Sequence, residues 1–150
     1  MILDATDRTI LDILQENGRT RRNELAEAVG LTIPTISERL RKLEDQGIIL
    51  GYSARIDPKK MGMDITAFVI VTVDSSRHYQ AFLDHTKSTD EILEVHAVTG
   101  EGTHLLKIRT ANTTSLEKLL SKIQAWAGVT HTTTSIVLSS PKETSRLKIK

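Results

Sequence analysis

The sequence contains no cysteine. That removes any disulfide framework and any thiolate metal site, and it fits a cytoplasmic location. Aromatic residues make up only 3% of the 150 residues, so a core has to be built from aliphatic side chains. No apolar run approaches the roughly 18 residues needed to span a bilayer, and no membrane partner is expected. The opening stretch MILDATDR turns acidic too early for a secretory signal. There is almost no excess charge, with 20 Lys/Arg against 19 Asp/Glu and a net charge of +1. Bulk attraction to nucleic acid is thereby excluded, and any such binding has to be local. What remains is an ordinary globular composition, long enough for one domain or two small interdependent ones.

Residues 1–47 have the period of helices. In DATDRTILDILQENG, Ile10, Leu11 and Leu14 share a face, with Asp4 or Thr6 as N-cap and Gly18 as C-cap. RRNELAEAVG is a shorter helix with Leu25, Ala28 and Val29 inward and Gly30 at its end. LTIPTISERLRKLEDQG starts a third at Thr32, carries Pro34 in its first turn, spaces Ile36, Leu40 and Leu43 at i, i+4, i+7, and closes at Gly47. Ala26 allows a close helix crossing, Gly30 makes the turn and Ile36 fills the wedge, which is the requirement of a helix-turn-helix.

The third helix turns Thr35, Ser37, Glu38, Arg39, Arg41 and Lys42 outward, with hydroxyls near its start and cations further along. N-terminal residues of such a helix reach base edges, and Arg and Lys neutralise phosphates. The DNA-binding candidates are therefore Thr32, Pro34, Thr35, Ser37, Glu38, Arg39, Arg41 and Lys42, joined by Arg21 and Arg22 from the second helix. The competing reading is a solvated face in which Glu38 and Asp45 partly pair the cations. Residues 1–60 hold ten Lys/Arg and ten Asp/Glu, so a single copy would bind DNA modestly and gain from assembly.

After Gly47 the period changes. IILGYSARI is strand-like and DPKKMG is a turn-rich linker. The rest alternates as a strand (ITAFVIVTVD), a helix (HYQAFLDHTKS), two strands (ILEVHAV and HLLKIRT), a helix (TTSLEKLLSKIQAWAG) and a Thr-rich strand (VTHTTTSIVLS). This β-α-β-β-α-β order is the ferredoxin-like arrangement. The fold class is thus α+β, with a winged-helix-like helix-turn-helix domain at 1–47, a strand and linker at 48–63, a βαββαβ domain at 64–140 and a C-terminal tail at 141–150. In the central hairpin, Thr99 facing His104 places Ala97 opposite Leu106, Val95 opposite Ile108, His96 opposite Lys107 and Glu94 opposite Arg109. The strand from Ile65 to Val73 is apolar on both faces, which implies that a second copy covers the open side of the sheet.

Between the two hairpin strands lies VTGEGTHLL, residues 98–106. A phosphate-binding glycine loop opens a helix, whereas here a strand follows. His78, His85, His96, His104 and His131 lack metal-ligand spacing, and no nucleophile has an evident base partner. Neither a metal nor a catalytic residue is expected, and a hairpin turn remains the plain alternative.

Together these segments resemble the Lrp/AsnC family of transcriptional regulators. LDATDRTILDILQENGR and LTIPTISERLRKLEDQGII are similar to its helix-turn-helix, GYSARIDPKKMG to its linker, and EVHAVTGEGTHLLKI to its central hairpin. The resemblance implies a sequence-specific regulator of double-stranded DNA, homodimers assembling into octamers or similar discs, and a small-molecule effector, an amino acid, bound near the hairpin loop. No cofactor is implied. Carried over by position, the effector residues are Thr99, Gly100, Glu101, Gly102, Thr103 and His104, with Thr132 and Thr134 on the last strand. The family loop commonly continues Thr-Gly-Asp with an aromatic residue and a second Asp, where this chain has Glu101, Gly102 and Thr103. Two alternatives stand beside this reading: an effector-independent DNA-organising protein, and a tetrapyrrole decarboxylase-like enzyme using His96, His104 or His131.

Overall fold

A computed structural model describes residues 2–150. The chain forms two compact units, one of residues up to Arg55 together with Lys142–Lys150, the other Ile56–Pro141.

The first unit holds three helices, α1 (Ala5–Glu16), α2 (Arg22–Val29) and α3 (Ile33–Asp45). Asp4 caps α1: its carboxylate accepts the Asp7 N–H at 2.7 Å, and the Asp7 carboxylate accepts the Asp4 N–H at 3.2 Å. The helix ends at Asn17, one residue before the expected Gly18. Gly30 closes α2 at φ 69°. Beyond α3, Gly47 and Ile48 donate to the carbonyls of Glu44 and Leu43, the pairing of a Schellman cap. Ile10, Leu11, Leu25, Ala26, Ile36, Leu40 and Leu43 form the core, each large side chain contributing on the order of 1.5–3 kcal/mol. Ala28, expected inward, is exposed. It falls outside the stripe of Leu25, Ala26 and Val29 on a helix of eight residues.

Two expectations are corrected here. IILGYSARI forms no strand: the Leu43 carbonyl holds the N–H groups of both Ile48 and Ile49, and the described residues of the first unit offer no strand edge for the rest to pair with. The segment expected as a separate tail belongs to this unit. The Leu147 N–H donates to the Gln15 side-chain oxygen at 2.7 Å, and the Gln15 amide donates back to the Leu147 carbonyl at 3.0 Å. Arg146 pairs with Glu16, and Ile149 packs against the helical core.

The second unit comprises β1 (Ile65–Val73), α4 (Tyr79–Lys87), β2 (Ile92–Ala97), β3 (His104–Thr110), α5 (Thr113–Gln124) and β4 (Val129–Ile136). The strands make one antiparallel sheet in the order β2-β3-β1-β4. Ala67, Val69, Val71, Leu106 and Ile108 bury one face against Phe82, Leu116, Leu119, Ile123 and Trp126 of the helical layer. On the other face, Phe68 is 37% exposed.

The β2–β3 register differs from the expected one by two residues. Ala97 faces His104, Val95 faces Leu106, His96 faces Leu105 and Glu94 faces Lys107. A slip of two keeps every side chain on its face, which is why alternation alone does not reveal it. The expected Glu94–Arg109 pair is replaced by Glu94–Lys107 at 3.8 Å, and Arg109 Nε donates to Thr66 Oγ1 at 3.3 Å.

Candidate nucleic-acid interface and effector loop

In the first unit, Thr32 ends the turn in extended conformation and caps α3, accepting from the Thr35 N–H. The two threonine hydroxyls lie 2.8 Å apart. Thr32, Pro34 and Thr35 are exposed, as are Arg21 and Arg22, while Ser37 is half-buried. Further along the helix, Lys42 pairs with Glu38 at 3.0 Å and Arg41 with Asp45 at 2.8 Å. The hydrogen bond and charge of Lys42 hold the Glu38 carboxyl below its ordinary value. These exposed i, i+4 pairs are weak, and a phosphate can displace them.

Arg39 departs from expectation. One guanidinium nitrogen lies 2.7 Å from Asp4 and 2.7 Å from Asp7, and the side chain is 28% exposed. The hydrogen bonds that Arg39 donates to Asp4 and then to Asp7 raise its pKa further, while the Asp7 N–H and then Arg39 lower that of Asp4. Arg39 therefore fastens α3 to the start of α1 instead of standing free for a phosphate. The sequence held a partial signal for this, since Asp4-x-x-Asp7 has capping-box spacing. The exposed Ile33 at the first position of α3, 49% accessible, is absent from the sequence-derived candidates.

In the second unit, the turn between β2 and β3 spans residues 98–103. Gly100 and Gly102 have φ of 98° and 73°, conformations that L side chains rarely adopt. A Cβ at Gly102 would collide with the Ile70 side chain and lie 3.1 Å from the Val71 carbonyl oxygen, so only glycine lets the loop lie down on β1. Thr103 pins the loop base. Its N–H donates to the Val71 carbonyl at 2.9 Å, and its hydroxyl accepts the Val73 N–H at 3.1 Å. The same hydroxyl lies 2.8 Å from His104 Nδ1.

The loop brings Thr99, Gly100, Glu101, Gly102 and Thr103 together, with Thr99, Gly100 and Glu101 exposed. His104 does not join them at the surface. It is 2% exposed, edge-on to Tyr79 and tilted against Phe82, and burial lowers its pKa. Thr132 and Thr134 belong to the neighbouring edge strand. They pair with Val71 and Val69 on β4, with β1 between them and β3, and Thr132 Oγ1 accepts from the Gln124 amide at 3.0 Å.

The remaining histidines do not converge. His78 meets Asp74 at 2.7 Å, His85 stacks on Trp126, and His96 and His131 stand on the two edge strands. Among the described residues no group of three or more potential ligands is placed to hold a metal ion. No helix of the described residues is long and apolar enough to cross a membrane.

Comparison with known proteins covers both units. Residues 3–49 match the winged helix-turn-helix DNA-binding family and residues 66–147 the Lrp/AsnC ligand binding domain. HTH-type transcriptional regulator FL11 of Pyrococcus horikoshii is 38% identical over 99% of this chain and 97% of its own. The leucine-responsive regulatory protein of Escherichia coli K12 is 36% identical over 99% of this chain and 92% of its own. A Neisseria meningitidis transcriptional regulator solved in complex with L-Met superposes with a TM-score of 0.92 at 32% identity, covering 98% of this chain and 97% of that one. With a helix-turn-helix unit and a ligand-binding sheet both matched along nearly its whole length, the chain belongs to the Lrp/AsnC family of transcriptional regulators.

Proposed function

We propose that the protein regulates transcription by binding DNA through the first turn of α3 and adjusts that binding to an amino acid held at the loop of residues 98–103. The observation that carries this reading is the division of labour. One unit presents Thr32, Pro34 and Thr35 at the exposed start of a helix, and the other ends its central hairpin in an open loop with two positive-φ glycines. Backbone N–H groups released by Gly100 and Gly102 suit a carboxylate, and the Glu101 carboxylate suits an ammonium. The L-Met bound to the neisserial relative supports an amino acid as the class of effector.

Two copies join through the open sheet face, where Phe68 and Ile70 carry apolar surface, and dimers build an octamer or similar disc. Each dimer offers two α3 helices to successive major grooves, about 34–36 Å apart. The protein works in the cytoplasm, without cofactor and without catalysis. The histidines of the tetrapyrrole-enzyme reading, His96, His104 and His131, sit respectively on one edge strand, in the core and on the other edge strand, which favours regulation over chemistry.

The test is fluorescence anisotropy of duplexes selected from a random pool, combined with thermal melting in each of the twenty amino acids. The expected result is that one amino acid or a few raise the melting temperature and shift duplex affinity. If no duplex is retained, DNA regulation fails. If duplexes are retained but no amino acid acts, the effector fails and the DNA-organising reading takes its place, a reading that the Glu101-Gly102-Thr103 departure from the family loop favours.

A further inference from the structure

Ile33 is the first residue of α3 and sits between the exposed residues Thr32 and Pro34. By helical spacing it continues the stripe of Ile36, Leu40 and Leu43, which are buried. The helix begins beyond the core, however, and Ile33 is left 49% accessible. Most of its polar neighbours on the helix have partners within the unit. The Thr32 and Thr35 hydroxyls are bonded to one another. Down the helix, Glu38, Arg39, Arg41 and Lys42 are all in ion pairs within the unit.

We infer that Ile33 reads sequence by packing against the C5 methyl group of a thymine. The inference rests on the DNA-binding reading above and adds to it which base the helix start prefers. The first residues of a helix-turn-helix recognition helix reach base edges in the major groove. Of the four bases only thymine presents an apolar group there, and apolar side chains match it. An isoleucine half-open to water gains from desolvation against that methyl group, whereas against the acceptors of guanine or the amino group of cytosine it would leave polar atoms unpaired.

The experiment uses the full chain and duplexes selected from a random pool, with each thymine replaced in turn by deoxyuridine, which removes only the C5 methyl group. Wild-type affinity is expected to fall about fourfold per half-site at one position, the worth of one buried methyl group. Ile33→Val should keep that preference and Ile33→Ser should erase it, binding the thymine and uracil duplexes equally. If Ile33→Ser melts early, Ile33→Ala replaces it. A wild-type protein indifferent to uracil at every position overturns the inference, and so does a serine variant that keeps the full penalty. Failure to select any duplex appears before a substitution is made and strikes the DNA-binding reading itself.

Discussion

Arg39 and Asp7 stand 32 residues apart in sequence and 2.7 Å apart in space, and this contact locks α3 to α1. The Asp7 side chain is 8% exposed, so removing its partner strands a carboxylate away from water. Arg39→Ala is expected to lower stability by about 1–3 kcal/mol, the cost of an unsatisfied buried polar group, read as an earlier thermal midpoint. The slope of DNA affinity against salt should not change, because the guanidinium is already neutralised. A slope reduced by about one would place Arg39 on a phosphate after all.

The buried His104 makes stability depend on pH in a defined direction. Burial holds its folded pKa below the ordinary 6.5, so the unfolded chain binds the proton more readily. The stabilisation is complete above 6.5 and is lost as pH falls from there through the lower folded value. His104→Gln should flatten the stability profile in that window, measured by denaturant titration at a series of pH values. A profile as steep as that of the wild type would assign the slope to another group.

Two glycines in one loop should respond differently to the same substitution. At Gly100 a Cβ meets nothing within 4 Å, so Gly100→Ala carries only the strain of φ 98°, on the order of 1 kcal/mol. At Gly102 the same change adds a collision with Ile70 and the Val71 backbone, and a further 1–3 kcal/mol or so is expected from overpacking. Gly102→Ala should therefore melt below Gly100→Ala and also weaken any amino-acid response. Equal melting temperatures would show that the loop lifts off β1 at little cost.

Phe68 points out of the sheet on the face opposite the helical layer. Phe68→Asp places a charge in the proposed interface between copies, and sedimentation should show a shift toward monomer with the circular dichroism spectrum retained. An unchanged assembly would move the interface to another surface.

The elements visible in the sequence are those whose signals are local. α3 is announced by its Thr32 cap, the period of Ile36, Leu40 and Leu43, and the stop at Gly47. β3 is announced by the alternation of Leu106, Lys107, Ile108 and Arg109. The hairpin register is not visible, because two glycines let the turn take in two more residues while both registers keep the same faces. The role of Arg39 depends on carboxylates more than thirty positions away, so charge pattern along α3 suggested a phosphate contact. His104 reads as an effector-site residue by its place at the base of the turn, and only its contacts with Tyr79 and Phe82 show that it belongs to the core. Ile33 shares the period of Ile36, Leu40 and Leu43, and periodicity does not say where the core stops.

Residues 142–150 announce no element, yet Leu147 holds Gln15 through its backbone and Ile149 packs its side chain on a unit whose helices were made first. During synthesis α1, α2 and α3 leave the ribosome well before the sheet, then wait for the Ile149 side chain. At cellular rates the interval is about 5–20 seconds. Through that time the first unit has to stay in solution with part of its apolar floor open, so its earliest helices are the last part of these 150 residues to become finished structure.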